Sequence, residues 1–272
     1  MKVHISADME GIAGVVGPEQ LRPGGFEYQQ FREFMTAEVT AAIEGARESG
    51  ATEIVVSDSH GTGLNLLMDR LPQNIQLVRS WPRPLGMMEG IDDSFAAAVF
   101  IGYHAGASNV SGIVAHTVSS KAFLSIRIND REMSEGGINA LIAGHFGVPV
   151  VMISGDDAAV REVSAMVGPI EEAVVKWCYS HSSCRTLMPD AAQSLIREKV
   201  MAGLDRRREL NPFQMKSPLT LDLTFKNADA AEILAYLPGV ALIDNRTVRF
   251  VGSIIEISMF IEMACAYPAT MT

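Results

Sequence analysis

The chain is poor in cysteine, in basic residues and in long apolar runs, and each shortage closes off a class of protein. Its 272 residues include only three cysteines, Cys178, Cys184 and Cys265. An odd count without CxxC spacing argues against a disulfide framework and for a reducing compartment. Cys178 and Cys184 either pair, share a metal, or sit in the fold as buried thiols. Lysine and arginine number 22 against 32 acidic residues, a net charge of -10. That balance argues against a nucleic-acid backbone or an anionic membrane as main partner. The most apolar late stretch, 253–267, is broken by Glu256 and Glu262 and is too short to span a bilayer. No signal-peptide pattern follows Met1-Lys2, and no internal repeat or low-complexity segment is visible. The expectation is a soluble, cytoplasmic chain. At 48% hydrophobic residues it can bury a substantial core.

What the chain does have is a set of apolar strands that each end in chemistry. Residues 3–7 run into Asp8-Met9-Glu10-Gly11. Residues i and i+2 of a strand share a face, so both carboxylates converge where the strand stops. Like charges held together there are costly unless a cation lies between them; solvated loop carboxylates are the bland alternative. The pattern recurs. Residues 53–56 lead into Ser57-Asp58-Ser59-His60-Gly61, residues 96–101 into Gly102-Tyr103-His104-Ala105-Gly106, and residues 148–153 into Ser154-Gly155-Asp156-Asp157. In open α/β sheets, sites form outside the carboxyl ends of parallel strands, so these four tips are expected to converge.

The segments between them set the fold class. A Gly- and Pro-rich loop spans 11–26, and long ordered loops beside a site are often functional. A helical stripe of Phe31, Met35, Val39, Ala42, Ile43 and Ala46 follows, capped by Gly50. The next strand completes a βαβ unit, hence a parallel pair with a right-handed crossover. Segment 79–90, with Trp81 and Arg83 among prolines, either lines a substrate pocket or packs as a surface turn. Residues 123–128 alternate and end in the turn signal Asn129-Asp130; Ser134-Glu135 then opens a helix that Gly147 closes. Helices at 160–167 and 189–204 follow, then a strand at 219–225, a helix at 230–237, a strand at 247–251 and a terminal helix at 253–267. The fold class is therefore α/β: a three-layer α/β/α domain with a mainly parallel sheet over 1–188, plus a smaller C-terminal α+β domain over 189–272. That last third has no histidine and reads as scaffold, lid or assembly surface.

The candidate ligands are Asp8, Glu10, His60, His104 and Glu135, three carboxylates and two imidazoles. Mixed nitrogen and oxygen donors without thiolate suit Zn, Mn, Fe or Co. Five exceed the three protein ligands of a mononuclear catalytic zinc. They suit two ions about 3.5–4 Å apart bridged by one carboxylate, for which Asp8 is placed best. Each has a plainer reading: His60 and His104 as hydrogen-bonded strand ends, Glu135 as a helix-dipole partner worth about 0.3–1 kcal/mol. His4, inside a strand, and His145, late on a helix, are assigned structural roles. A two-metal site lowers the pKa of bound water to about 7 and polarises a carbonyl or phosphoryl oxygen, which means hydrolysis.

The run Ser6-Ala7-Asp8-Met9-Glu10-Gly11 resembles the SxDxEG opening of the zinc-dependent D-aminopeptidases encoded with bacterial dipeptide transporters. Ser57-Asp58-Ser59-His60, Gly102-Tyr103-His104-Ala105, Ala115-His116-Thr117, Ile128-Asn129-Asp130-Arg131, Glu135 with Asn139, and Ser154-Gly155-Asp156-Asp157 resemble that family's later blocks, in order. The resemblance implies two Zn2+ per subunit, held by the same five residues with Asp8 as bridge. It also implies His116 as the catalytic histidine, removal of an N-terminal D-residue from short peptides, and a large ring-like homo-oligomer. The substrate's free amine is expected to be held by a metal or by a nearby carboxylate, for which Asp156 and Asp157 are candidates. The rival readings are a metal-dependent amidase or phosphoesterase, for which Lys121, Arg127 and Arg131 are the nearby cations, and a metal-dependent binding module.

Overall fold

The structure is a computed structural model that describes residues 1–266, so Tyr267 of the expected terminal helix lies outside the described residues. From the N-terminus the chain forms β1 (Lys2–Ala7), α1 (Pro18–Leu21), α2 (Tyr28–Glu48), β2 (Glu53–Asp58), β3 (Gln76–Val78) and β4 (Ala97–Tyr103). Then come β5 (Phe123–Ile128), β6 (Arg131–Glu132), α3 (Glu135–His145), β7 (Val150–Asp156), α4 (Asp157–Val167), β8 (Glu171–Ser180) and β9 (Ser183–Thr186). The last part holds α5 (Pro189–Asp205), β10 (Leu219–Phe225), α6 (Ala228–Leu234), β11 (Val240–Leu242), β12 (Thr247–Gly252) and α7 (Ile254–Ala266).

Seven strands make the main sheet, in the order β3-β2-β1-β4-β7-β8-β9. All pair in parallel except β9, which turns back antiparallel on β8. Alternation decides the layers. Val3, Ile5 and Ala7 of β1 point into a core shared with the α2 stripe and with α5. The opposite face, carrying Val55, Phe100 and Ile153, packs on α3 and α4 and continues without a break into a second sheet. This is the expected three-layer α/β/α arrangement with a mainly parallel sheet.

The second sheet is antiparallel, in the order β11-β12-β10-β5-β6. Asn129 and Asp130, at φ 49 and 62, form the tight β5–β6 turn that their sequence signals. Sheet membership crosses residue 188. Strands β5 and β6 join the second sheet, whereas α5 lies on α2 and on β7 and β8 of the first. The apolar face of α5 (Ala192, Ile196, Val200, Leu204) has its complement in the α2 layer, which draws it across. Among the described residues no helix is long and apolar enough to cross a membrane.

Candidate metal centre

The strand order reverses between β1 and β4, since β1 is followed outward by β2 and β3 on one side and by β4 on the other. The crevice outside the carboxyl ends of such a pair is where open α/β sheets place their sites. Here the acidic tip of β1 is stitched to β4: Asp8 N–H donates to Ile101 O (2.8 Å) and Gly11 N–H to Gly102 O (2.7 Å). Two glycines make that approach available. A Cβ on Gly11 would lie 2.1 Å from Tyr103 O, and Gly102 sits at φ +70 with Asp8 O only 2.3 Å from where its Cβ would be.

The five expected ligands converge, and His116 joins them. His60 Nδ1 lies 2.8 Å from Glu10 Oε2 and 3.3 Å from Asp8 Oδ1. His104 Nε2 lies 3.4 Å from Asp8 Oδ2 and 3.2 Å from Glu135 Oε1. His116 Nε2 is 3.9 Å from both Glu10 Oε1 and Glu135 Oε1, and its ring stacks on His104 at 4.1 Å between centroids. The other nitrogen of each histidine is tied to a backbone carbonyl: His60 Nε2 to Leu21 O, His104 Nδ1 to Ala105 O and His116 Nδ1 to Val114 O. These contacts fix each ring's orientation and turn the second nitrogen toward the carboxylates, where a bound cation would take it as a ligand. His116 is held by a tense segment, with two β-branched residues at positive φ, Val114 (51) and Val118 (61). Strain of this kind costs about 1–3 kcal/mol per residue and concentrates at functional sites.

Electrostatics give the cluster its chemical character. Among the described residues no lysine or arginine ion-pairs with Asp8, Glu10 or Glu135; their partners are the three histidines. Burial, then the neighbouring Glu10, push the Asp8 carboxyl up to about 7. Burial opposes ionisation of His60 and His104, yet the carboxylates around them hold both well above the usual imidazole range. Burial and the adjacent His104 push His116 down. Asp8 Oδ2 and His104 Nε2 are buried and near each other, but not aligned for a hydrogen bond, so neither has a partner. Two groupings, Asp8–Glu10–His104 and His104–His116–Glu135, each bring one ligand atom per residue within 4.8 Å of the others. Nitrogen and carboxylate donors in this density, with buried acceptors left over, fit a hard-to-borderline divalent cation.

The comparisons with known proteins point the same way. A D-aminopeptidase family model matches residues 1–262. The chain belongs to the D-aminopeptidase family. It is 35% identical to a D-aminopeptidase of Bacillus subtilis (strain 168), over 92% of this chain and 91% of that protein. Its fold matches a solved structure described as the Zn-dependent D-aminopeptidase DppA from Bacillus subtilis, a self-compartmentalizing protease. The TM-score is 0.93, at 33% identity and 98% coverage of both chains.

Beside the cluster, this D-aminopeptidase family member has a pocket of about 230 Å³. Glu135 is among its polar lining residues, and Met87, Ile138, Ile142 and Ile261 are among its apolar ones. The 79–90 segment does line the pocket, through Trp81, Gly86 and Met87, and also packs, through buried Arg83. Helix α7 contributes Ser258, Ile261, Glu262 and Cys265, so the last third does more than the absence of histidine suggested. Asp156 and Asp157 go elsewhere. Asp156 Oδ1 caps α4 through Ala158 and Ala159 N–H, and Asp157 accepts from Cys178 N–H and pairs with Arg161. Cys178 and Cys184 face each other across β8 and β9 as free, half-buried thiols. His4 is buried with Nε2 on Glu89 O, and His145 is exposed, both apart from the cluster.

Two contributors escaped the sequence reading. Lys176, on β8, is fully buried and its Nζ donates to the carbonyls of Glu10 and Val15, fastening the loop that carries the acidic tip. A lone lysine among apolar residues is the only sequence signal for it. Tyr103 OH donates to Ser6 Oγ (2.7 Å) and accepts from Asn139 Nδ2 (2.9 Å), a buried network beneath the cluster.

Proposed function

We propose that the protein is a two-zinc aminopeptidase that removes the N-terminal residue, a D-amino acid such as D-Ala, from short peptides. The observation that carries the two-ion reading is the split of Asp8 between two histidines. Oδ1 faces His60 Nδ1 and Oδ2 faces His104 Nε2. Asp8, Glu10 and His60 would hold one ion, and Asp8, His104 and Glu135 the other. Family membership supports the D stereochemistry and the exopeptidase reaction. Bound there, zinc would supply Lewis-acid polarisation of a carbonyl and would lower the pKa of water to about 7.

The chain's own groups do the rest. His116 Nδ1–H is committed to Val114 O, so Nε2 is free to take the attacking water's proton and return it to the departing amine. Glu135 Oε1 accepts from Val118 N–H at 2.6 Å, which locks the His116 segment to the start of α3. The apolar wall beside Glu135 excludes water from the reacting carbonyl. Self-compartmentalization of the similar DppA supports a large ring-like homo-oligomer here, and the cysteine usage supports a cytoplasmic setting. A phosphoesterase is disfavoured because no lysine or arginine lines the pocket among the described residues; Arg127 reaches Glu132 instead and Arg131 lies over Phe213.

Hydrolysis of D-Ala-D-Ala beside L-Ala-L-Ala by metal-stripped protein with zinc restored tests the reading. Zinc-dependent release of D-alanine, with the L-dipeptide cut poorly, is the expected outcome. Preferential cleavage of the L-dipeptide would discard the D-specific reading, and cleavage of neither would discard the peptidase.

A further inference from the structure

Of the carboxylates in the metal cluster Glu135 lines the pocket, and a further acid faces the same space. Glu262, on α7, lines this pocket together with apolar Met87, Ile138, Ile142 and Ile261 and the polar side chains of Asn139 and Ser258. It is half-buried, and among the described residues no hydrogen bond or ion pair holds its carboxylate. Arg83 is the nearest cation to influence it, but that guanidinium is engaged with Ser80 O, Ser57 Oγ and Asp58 O and stacks on Trp81 at 4.3 Å. Gly86 keeps the approach to Glu262 open: a Cβ there would lie 3.1 Å from Glu262 Oε1. Burial pushes the Glu262 carboxyl up to about 7, as expected for an acid with too little positive charge around it.

An aminopeptidase has to distinguish a free N-terminal amine from a blocked one, and in a largely apolar pocket an unpaired carboxylate offers that recognition. The other acids are taken. Asp8, Glu10 and Glu135 belong to the histidine cluster, Asp156 caps α4, and Asp157 holds Cys178 N–H and Arg161. We propose that Glu262 is the anchor for the substrate's N-terminal ammonium, and that the apolar wall between Glu262 and Glu135 receives the side chain of that residue. The proposal rests on the aminopeptidase reading above. It assigns substrate selection to a helix at the far end of the chain from the acidic tip that opens the site.

The test compares two small ligands that differ at the ammonium, D-alanine and propionate, by calorimetric titration of the zinc-loaded protein. Glu262→Gln keeps the side chain's size, so zinc content and circular dichroism should match the unaltered protein. Loss of a charge-assisted contact should weaken D-alanine binding about 10- to 100-fold and leave propionate binding unchanged. Glu262→Asp should recover part of the loss. Equal weakening of both ligands, loss of zinc, or unchanged D-alanine affinity would overturn the assignment. Binding is read without turnover, so a protein that cleaves no D-dipeptide refutes the peptidase reading, while the D-alanine to propionate ratio still reports on Glu262. Steady-state kinetics on D-Ala-D-Ala provide the second readout: for Glu262→Gln the rise should fall mainly in KM, with a smaller change in kcat.

Discussion

His104 and His116 stack ring on ring, yet they differ in what surrounds their free nitrogens. His104 Nε2 is wedged between two carboxylates at 3.2 and 3.4 Å, while His116 Nε2 stands back at 3.9 Å and its side chain is the most exposed of the six, at 16%. Substitution should separate them. His116→Ala should retain its metal and lose about 10²–10⁴-fold in kcat, as removal of an acid/base group does. His104→Ala and Glu10→Ala should lose bound metal and activity together. Metal analysis beside dipeptide turnover checks both; near-normal turnover by His116→Ala, or full metal in either ligand variant, would contradict these roles. At this scale the sequence was informative where residue type and strand position coincide, as at Asp8, Glu10, His60 and His104. It was silent on Glu262, because an acid on an apolar late helix looks like any solvated helical glutamate until its neighbours are known.

Elements place these residues, and α2 carries a further consequence. Glu38 is buried on this helix, with Oε1 accepting Ala13 N–H at 3.0 Å and Oε2 without a partner. Burial raises its carboxyl from 4.5 to about 7. Between those values the folded chain keeps a proton that the unfolded chain releases. Stability from this group is therefore present below pH 4.5 and lost as pH rises to 7, by roughly 3 kcal/mol at most. Glu38→Gln should behave as the protonated form: similar in urea midpoint at pH 5, and more stable than the unaltered protein at pH 8. An unchanged midpoint at pH 8 would mean Glu38 stays solvated. The long elements were legible because their periodicity is strong, as in the α2 stripe and the alternation of β5 and β10. Strand β8 was not: Glu171, Glu172 and Lys176 interrupt its apolar run, and Lys176 is buried only because two loop carbonyls receive it.

At the scale of the whole molecule, the metal site ties together the ends of β1, β2 and β4 and the start of α3, so ligand binding and global stability are linked. Chelation should lower the melting temperature by roughly 5–10 °C for one site filled at a hundredfold excess over its dissociation constant. Zinc should restore it; an unmoved melting curve would mean that the cluster holds no ion. Size measurement by light scattering checks the assembly, with a large closed oligomer expected and a monomer contradicting it. The sequence by itself determined the strand tips, the helix stripes, the turn at Asn129-Asp130 and the chemical type of the donors, because these depend on local periodicity and on side chains within a few residues. Only the tertiary structure decided which tips meet. The order β2-β1-β4 puts Asp8, Glu10, His60 and His104 in one crevice, while the start of α4 claims Asp156 as its cap. It likewise carries β5 and β6 into the second sheet, lays α5 on α2, and brings Lys176 and Glu262 to a site begun at residue 8. Such placements follow from which apolar faces find complements across the fold, and that choice is made by packing between segments far apart in the chain.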